Sequence, residues 1–212
     1  MFDNIKFPLL IVSSPRTGST ILGDYLSQLY PKMKFFSEPN LLISEYNKFL
    51  EYSENSKDFI LKIHAKHIDN YNLNFNDFYI MRIRRRDIIS QIASYYVAHM
   101  RDKYFGYNPD DIEYKNYKNS EVNYDVNILN FMIDYTFEFN EYLDNIDKSI
   151  SIDKDFWYED LDLDLNKTIY DDYRVFKTPY PKNYDFIKTI ISEKLENKKK
   201  YMKIMYGNQI DL

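Results

Sequence analysis

The chain has 212 residues, a formal net charge of −5 and no cysteine. Hydrophobic residues make up 44% and charged residues 29%, the balance of an ordinary globular protein and not of a disordered or fibrous one. Disulfides, thiolate metal sites and cysteine nucleophiles are excluded. The length predicts one domain, 1–212, long enough to bury a core. No apolar run reaches the roughly 20 residues of a membrane-spanning helix. The first residues lack the basic-then-apolar pattern of a secretory leader, so a cytoplasmic setting is expected.

The elements follow in chain order. Phe7 to Val12 is a continuous apolar run, the mark of a strand buried on both faces. The turn-forming residues Ser13 to Ser19 come next. A helix is then predicted, with Ile21, Leu22, Tyr25, Leu26 and Leu29 on one face. Met33 to Phe36 reads as a second strand, and Pro39 as the start of a helix through Leu50. Asp58 to His64 and Phe78 to Ile83 are two more strands, the latter followed by a helix from Asp87 to Met100. Residues 102–124 are polar and aperiodic, a long surface excursion of the kind that often carries function. A helix over Asp125–Asn145, a strand over Ser149–Trp157 and a helix over Tyr184–Met205 complete the pattern. Alternation of buried strands with helices predicts an α/β fold with a mainly parallel central sheet flanked by helices.

Rare residues concentrate in two places. Only four glycines occur, and Gly18 lies between the first strand and its helix, in Ser14-Pro15-Arg16-Thr17-Gly18-Ser19-Thr20. Strand, donor-rich loop, helix is an anion-binding layout, because a helix N-terminus presents unpaired N–H groups and partial positive charge. Pro15 shapes the turn, Arg16 adds a fixed charge, and Thr17, Ser19 and Thr20 offer hydroxyls. The plain alternative is a strand-to-helix turn with a hydroxyl cap. The loop is not the nucleotide triphosphatase loop: with Gly18 as its second glycine, Ser13 replaces the first and Ser19 replaces the lysine. The second concentration is Arg82-Ile83-Arg84-Arg85-Arg86, four of the seven arginines in a lysine-rich chain. Arg86 lies at a strand end, and Ser94 follows eight residues later on the next helix, with Ser90 and Gln91 near the same face. The plain alternatives are a solvated basic patch, with Arg82 and Arg84 paired to carboxylates, or a nucleic-acid-binding stripe, which the acidic charge disfavours.

Pro15 to Thr20 with Leu22 resembles the 5′-phosphosulfate loop of sulfotransferases that use 3′-phosphoadenosine 5′-phosphosulfate. Arg86 with Ser94 resembles their 3′-phosphate motif. Arg16 in the loop, and Arg85-Arg86-Asp87 with Gln91, are similar to the bacterial trehalose-sulfotransferase-like and tyrosylprotein-sulfotransferase-like branches. The resemblance implies a nucleotide-kinase-like fold and transfer of a sulfuryl group to a hydroxyl of a small molecule or glycan. The bisphosphate is then the product, and no metal is required if arginine and lysine supply the charge. Lys62-Ile63-His64 resembles the Lys-x-His of cytosolic members, where the histidine is the base. Glu38 before Pro39 occupies the place of the glutamate base in the other two branches. Glu38 ranks narrowly first as base, His64 second; Arg16, assisted by Lys62, is expected to stabilise the leaving group. His67 and His99 are read as structural. Trp157-Tyr158-Glu159-Asp160-Leu161 resembles a family segment whose tyrosine, here Tyr158, lies near the adenine. Arg174 and the turn from Thr178 to Tyr184 match no family motif. The competing readings are a kinase using ATP and magnesium, and a non-catalytic anion- or nucleic-acid-binding module.

Overall fold

In a computed structural model of the chain, the described residues are 2, 4–71, 73–101, 116, 119–161 and 180–206, with side chains described up to residue 199. Most of the 102–124 excursion, Arg174, Thr178 and Pro179 lie outside them. The elements are β1 (Leu9–Ser13), α1 (Ser19–Leu29), β2 (Lys34–Ser37), α2 (Ile43–Asn55), β3 (Phe59–His64), β4 (Tyr79–Arg84), α3 (Ile88–Met100), α4 (Val126–Asp144), β5 (Lys154–Trp157) and α5 (Tyr184–Tyr206). The chain is an α/β protein, as its alternating pattern predicts.

Two compact units emerge, Met1–Arg86 with Tyr135–Tyr173, and Asp87–Asp134 with Arg174–Leu212. The first holds an all-parallel sheet of order β2-β3-β1-β4-β5. Every residue of central β1 is fully buried, which is why Leu9 to Val12 form an unbroken apolar run. Its side chains alternate between two layers. Leu9 and Ile11 join Ile60, Met81 and Ile83 against Leu22 and Leu26 of α1. Leu10 and Val12 join Leu61, Ile63 and Ile80 against Phe49 of α2 and Leu143 of α4. On that second face Phe36, Phe49 and Phe59 meet edge-to-face, with centroids 5.3–6.2 Å apart. Such aromatic pairs each contribute about 0.5–1.5 kcal/mol beyond the area they bury.

The edges of the sheet depart from expectation. β5 spans only four residues, and Ser149–Ile152 precede it without strand pairing. Pro39 does not open a long helix: Pro39–Leu41 form a 3-10 turn, and α2 starts at Ile43. The cause lies one residue earlier, where Glu38 adopts φ 48°, ψ 52°. A left-handed residue at that point turns the chain before a helix can propagate. Leu41, Leu42 and Ile43 are consequently exposed, by 55%, 62% and 82%.

The second unit is helical. Asp87 caps α3 by accepting from the Ser90 N–H at 2.9 Å. Ile92 and Tyr96 of α3, Leu129 and Ile133 of α4, and Ile187 and Ile191 of α5 are buried. The Tyr96 hydroxyl, inside that core, donates to the Asn123 carbonyl at 2.9 Å and accepts from the Asp125 N–H at 2.8 Å. The Asn183 side chain similarly bridges the N–H and the carbonyl of Val122, at 3.0 and 2.8 Å. No helix among the described residues is long and apolar enough to cross a membrane.

Candidate active site

Parallel strands bring their carboxyl ends to one edge of the sheet. In open α/β folds the ligand crevice lies there, where the strand order reverses direction. Here β1 sits between β3 and β4, and its last residue, Ser13, is level with His64 and Ile83. Ser37 at the end of β2 is level with Lys62, and the Glu38 N–H continues the ladder by donating to the Lys62 carbonyl at 2.8 Å. Arg84 is level with Trp157. Glu38, Lys62, His64, Arg84, Arg85, Arg86 and Tyr158 therefore all emerge at the edge that carries the Ser14–Thr20 loop.

Gly18 is the N-cap of α1 at φ 79°, ψ 8°, and no side chain caps that helix. Only glycine takes this conformation freely. It is required twice over, since a Cβ here would collide with the Tyr158 ring. Arg16, also left-handed at φ 63°, has its carbonyl held by Arg85 Nη1 at 3.0 Å. The Arg85 guanidinium lies 5.2 Å from the Tyr158 ring centroid. Tyr158 thus packs on Gly18, Arg85 packs on Tyr158, and Arg85 fixes the loop. The sequence sets Arg85 beside Arg86 in the Arg85-Arg86-Asp87 resemblance but carries no sign that it braces the loop.

Two loop hydroxyls bond within the turn. Buried Thr17 donates to the Ser14 carbonyl at 2.9 Å, and Ser13 donates to buried Ser19 Oγ at 2.8 Å. Both bonds hold the turn together. Ser14, not among the expected site residues, donates to Asn140 Oδ1 of α4 at 2.5 Å. Pro15 is buried, and Thr20 and Arg16 are half-buried.

The candidate bases come together as one group. Glu38 is 6% exposed, and its Oε1 accepts from Lys62 Nζ and lies 2.5 Å from His64 Nε2. Lys62, 3% exposed, is also 3.2 Å from His64 Nε2. Burial would raise the Glu38 carboxyl, but the His64 hydrogen bond and the Lys62 charge outweigh it and hold it at about 2. Burial pushes His64 down to about 4, and the Lys62 charge pushes the same way. Burial also lowers Lys62, opposed by Glu38 and aided by the Arg16 charge. Arg16 is therefore within electrostatic reach of this cluster. At neutral pH the pair is a carboxylate beside a neutral imidazole.

The turn bearing Glu38 is braced from behind. Buried Tyr71 donates to Asn40 Oδ1 and accepts from the Asn40 N–H at 3.2 Å. His67, read as structural, has its ring 5.9 Å from the His64 ring. Both rings meet Phe139 of α4 edge-on at 5.6 Å.

The arginine stretch is not a free basic patch. Arg82 and Arg84 both donate to Asp155 Oδ2, at 2.6 and 2.7 Å. Arg82 is directly opposite Asp155 across the β4–β5 ladder. These two are structural, the plain alternative weighed above. Arg86 donates both Nη groups to the Asp160 carboxylate, at 2.6 and 2.7 Å. Its N–H is 3.1 Å from both Glu159 oxygens. Ser94 is half-buried on α3 and belongs to the second unit, whereas Arg86 belongs to the first.

The residues fit a bound anion at the glycine of the loop, where backbone can approach and α1 begins uncapped. At Arg86 the fit requires Asp160 to give way. Searches against family models, curated proteins and solved structures return no match.

Proposed function

We propose that the chain is a sulfotransferase that moves a sulfuryl group from 3′-phosphoadenosine 5′-phosphosulfate to a hydroxyl acceptor, a small molecule or glycan. The observation that carries this reading is the buried Glu38–Lys62–His64 cluster, lying beside an uncapped helix N-terminus with Gly18 at its start. Two of the three described non-glycine residues at positive φ are Arg16 and Glu38. Backbone strain of this kind costs about 1–3 kcal/mol and concentrates at functional sites.

In this reading the donor supplies a sulfuryl group carried on a 5′-phosphate. The Gly18 backbone and the start of α1 hold that end, and Arg16 neutralises the charge that grows on the leaving phosphate. Arg86 takes the 3′-phosphate. Tyr158 and Trp157 offer aromatic surface to the base. The acceptor oxygen forms the new bond to sulfur while the sulfur–oxygen bond to the 5′-phosphate breaks. The acceptor proton passes to the Glu38–His64 pair, and Lys62 keeps that pair unprotonated beforehand.

A thermal shift tests this against a kinase. Ligand at a hundred times its dissociation constant stabilises a protein by about 2.7 kcal/mol. 3′,5′-Adenosine bisphosphate is expected to raise the midpoint without magnesium. A shift with ATP and magnesium but none with the bisphosphate would overturn the reading.

A further inference from the structure

Arg82 and Arg86 both meet aspartates, but in different settings. The Arg82–Asp155 pair is a cross-strand strut whose arginine is 7% exposed. The Arg86 and Asp160 side chains are 51% and 52% exposed, and they meet fork to fork. An exposed pair of this kind contributes little to stability. Its geometry is nonetheless the bidentate one by which a guanidinium grips a phosphate. The fork has a further support. The Arg86 guanidinium lies 5.0 Å from the Trp157 ring centroid, so a contact independent of Asp160 holds it at the end of β4. Asp160 closes the 3-10 turn Tyr158–Asp160, whose first residue packs on Gly18. The carboxylate in the fork and the ring on the loop thus belong to one short turn.

We propose that Asp160 is a built-in counter-anion that a ligand's phosphate must displace from Arg86, and that it thereby limits the preference for a 3′-phosphorylated nucleotide over its 3′-hydroxyl analogue. This rests on the nucleotide reading above. The displaced carboxylate stays beside the incoming phosphate and opposes it. Repulsion between two unit charges about 4 Å apart in water corresponds to about fivefold in affinity, and a phosphate dianion feels more. Asp160 therefore makes the site less discriminating than its arginine alone would be. Glu159 acts less directly, because it engages the Arg86 N–H and leaves the fork open.

Isothermal titration with 3′,5′-adenosine bisphosphate and with 5′-AMP tests this on the wild type, Asp160→Asn, Arg86→Ala and the double variant. Asp160→Ser serves if the asparagine variant fails to fold. Loss of the carboxylate is expected to tighten the bisphosphate about five- to tenfold and to move 5′-AMP less than about twofold. The gain should shrink at high salt and vanish in the Arg86→Ala background. Equal tightening of both nucleotides, no tightening, or a gain that persists without Arg86 would overturn the role of Asp160. Failure of the wild type to bind either nucleotide would instead overturn the nucleotide reading itself.

Discussion

Glu38 and His64 have environments that act on stability as well as on chemistry. The folded state holds His64 at about 4, below its ordinary 6.5, so folding favours the neutral ring. Its contribution is complete above pH 6.5 and is lost as pH falls from 6.5 towards 4. Glu38, held at about 2 against an ordinary 4.5, contributes fully above pH 4.5 and loses that between 4.5 and 2. Both act in the same direction, with His64 first. The melting midpoint should fall between pH 6.5 and 4, and His64→Asn should flatten that fall. A wild-type midpoint level across this interval would contradict the assigned environment. For turnover, Glu38→Gln removes both the carboxylate and its hold on His64, and is expected to cost about 10²–10⁴-fold. His64→Asn should cost a comparable amount, since the two act as one unit. Equal losses of only a fewfold would mean that neither takes the proton.

At the scale of elements, the loop and its helix are held by glycine contacts that tolerate no side chain. Gly18→Ala adds strain at φ 79° and a clash with the Tyr158 ring. A loss of about 1–3 kcal/mol is expected by chemical denaturation, with weaker anion binding. Gly23→Ala drives a methyl into the Phe35 ring, and Phe35→Leu in the same chain should recover part of the loss. Tyr71→Phe should loosen the Asn40 turn behind Glu38, lowering turnover more than it lowers stability. The central strands, α1 and the Gly18 loop were legible in the sequence, because buried parallel strands are continuous apolar runs and Gly18 punctuates them. The split of the helix after Pro39 was not. It follows from the left-handed conformation of Glu38, a non-glycine residue with no local sequence mark. The arginine partners were equally hidden, since Asp155 and Asp160 lie more than 70 residues from Arg82 and Arg86. The clustering of Glu38, Lys62 and His64 was half legible. Each was a candidate through the family resemblance, but strand order is what made them neighbours.

Across the whole molecule, an acidic chain gathers cations at one edge of a parallel sheet and then answers most of them with its own carboxylates. Arg82 and Arg84 are answered by Asp155, Arg86 by Asp160, and Lys62 by Glu38. A ligand would meet the Gly18 backbone, the start of α1 and whatever an incoming phosphate can take from Asp160. The proposed function requires this edge to bind a nucleotide phosphorylated at both its 5′ and 3′ ends, without a metal. Isothermal titration of the wild-type chain with 3′,5′-adenosine bisphosphate in excess chelator tests it most directly. Saturable one-site binding, lost in Gly18→Val, is the predicted result; no binding heat with the bisphosphate, or binding confined to ATP with magnesium, would contradict it.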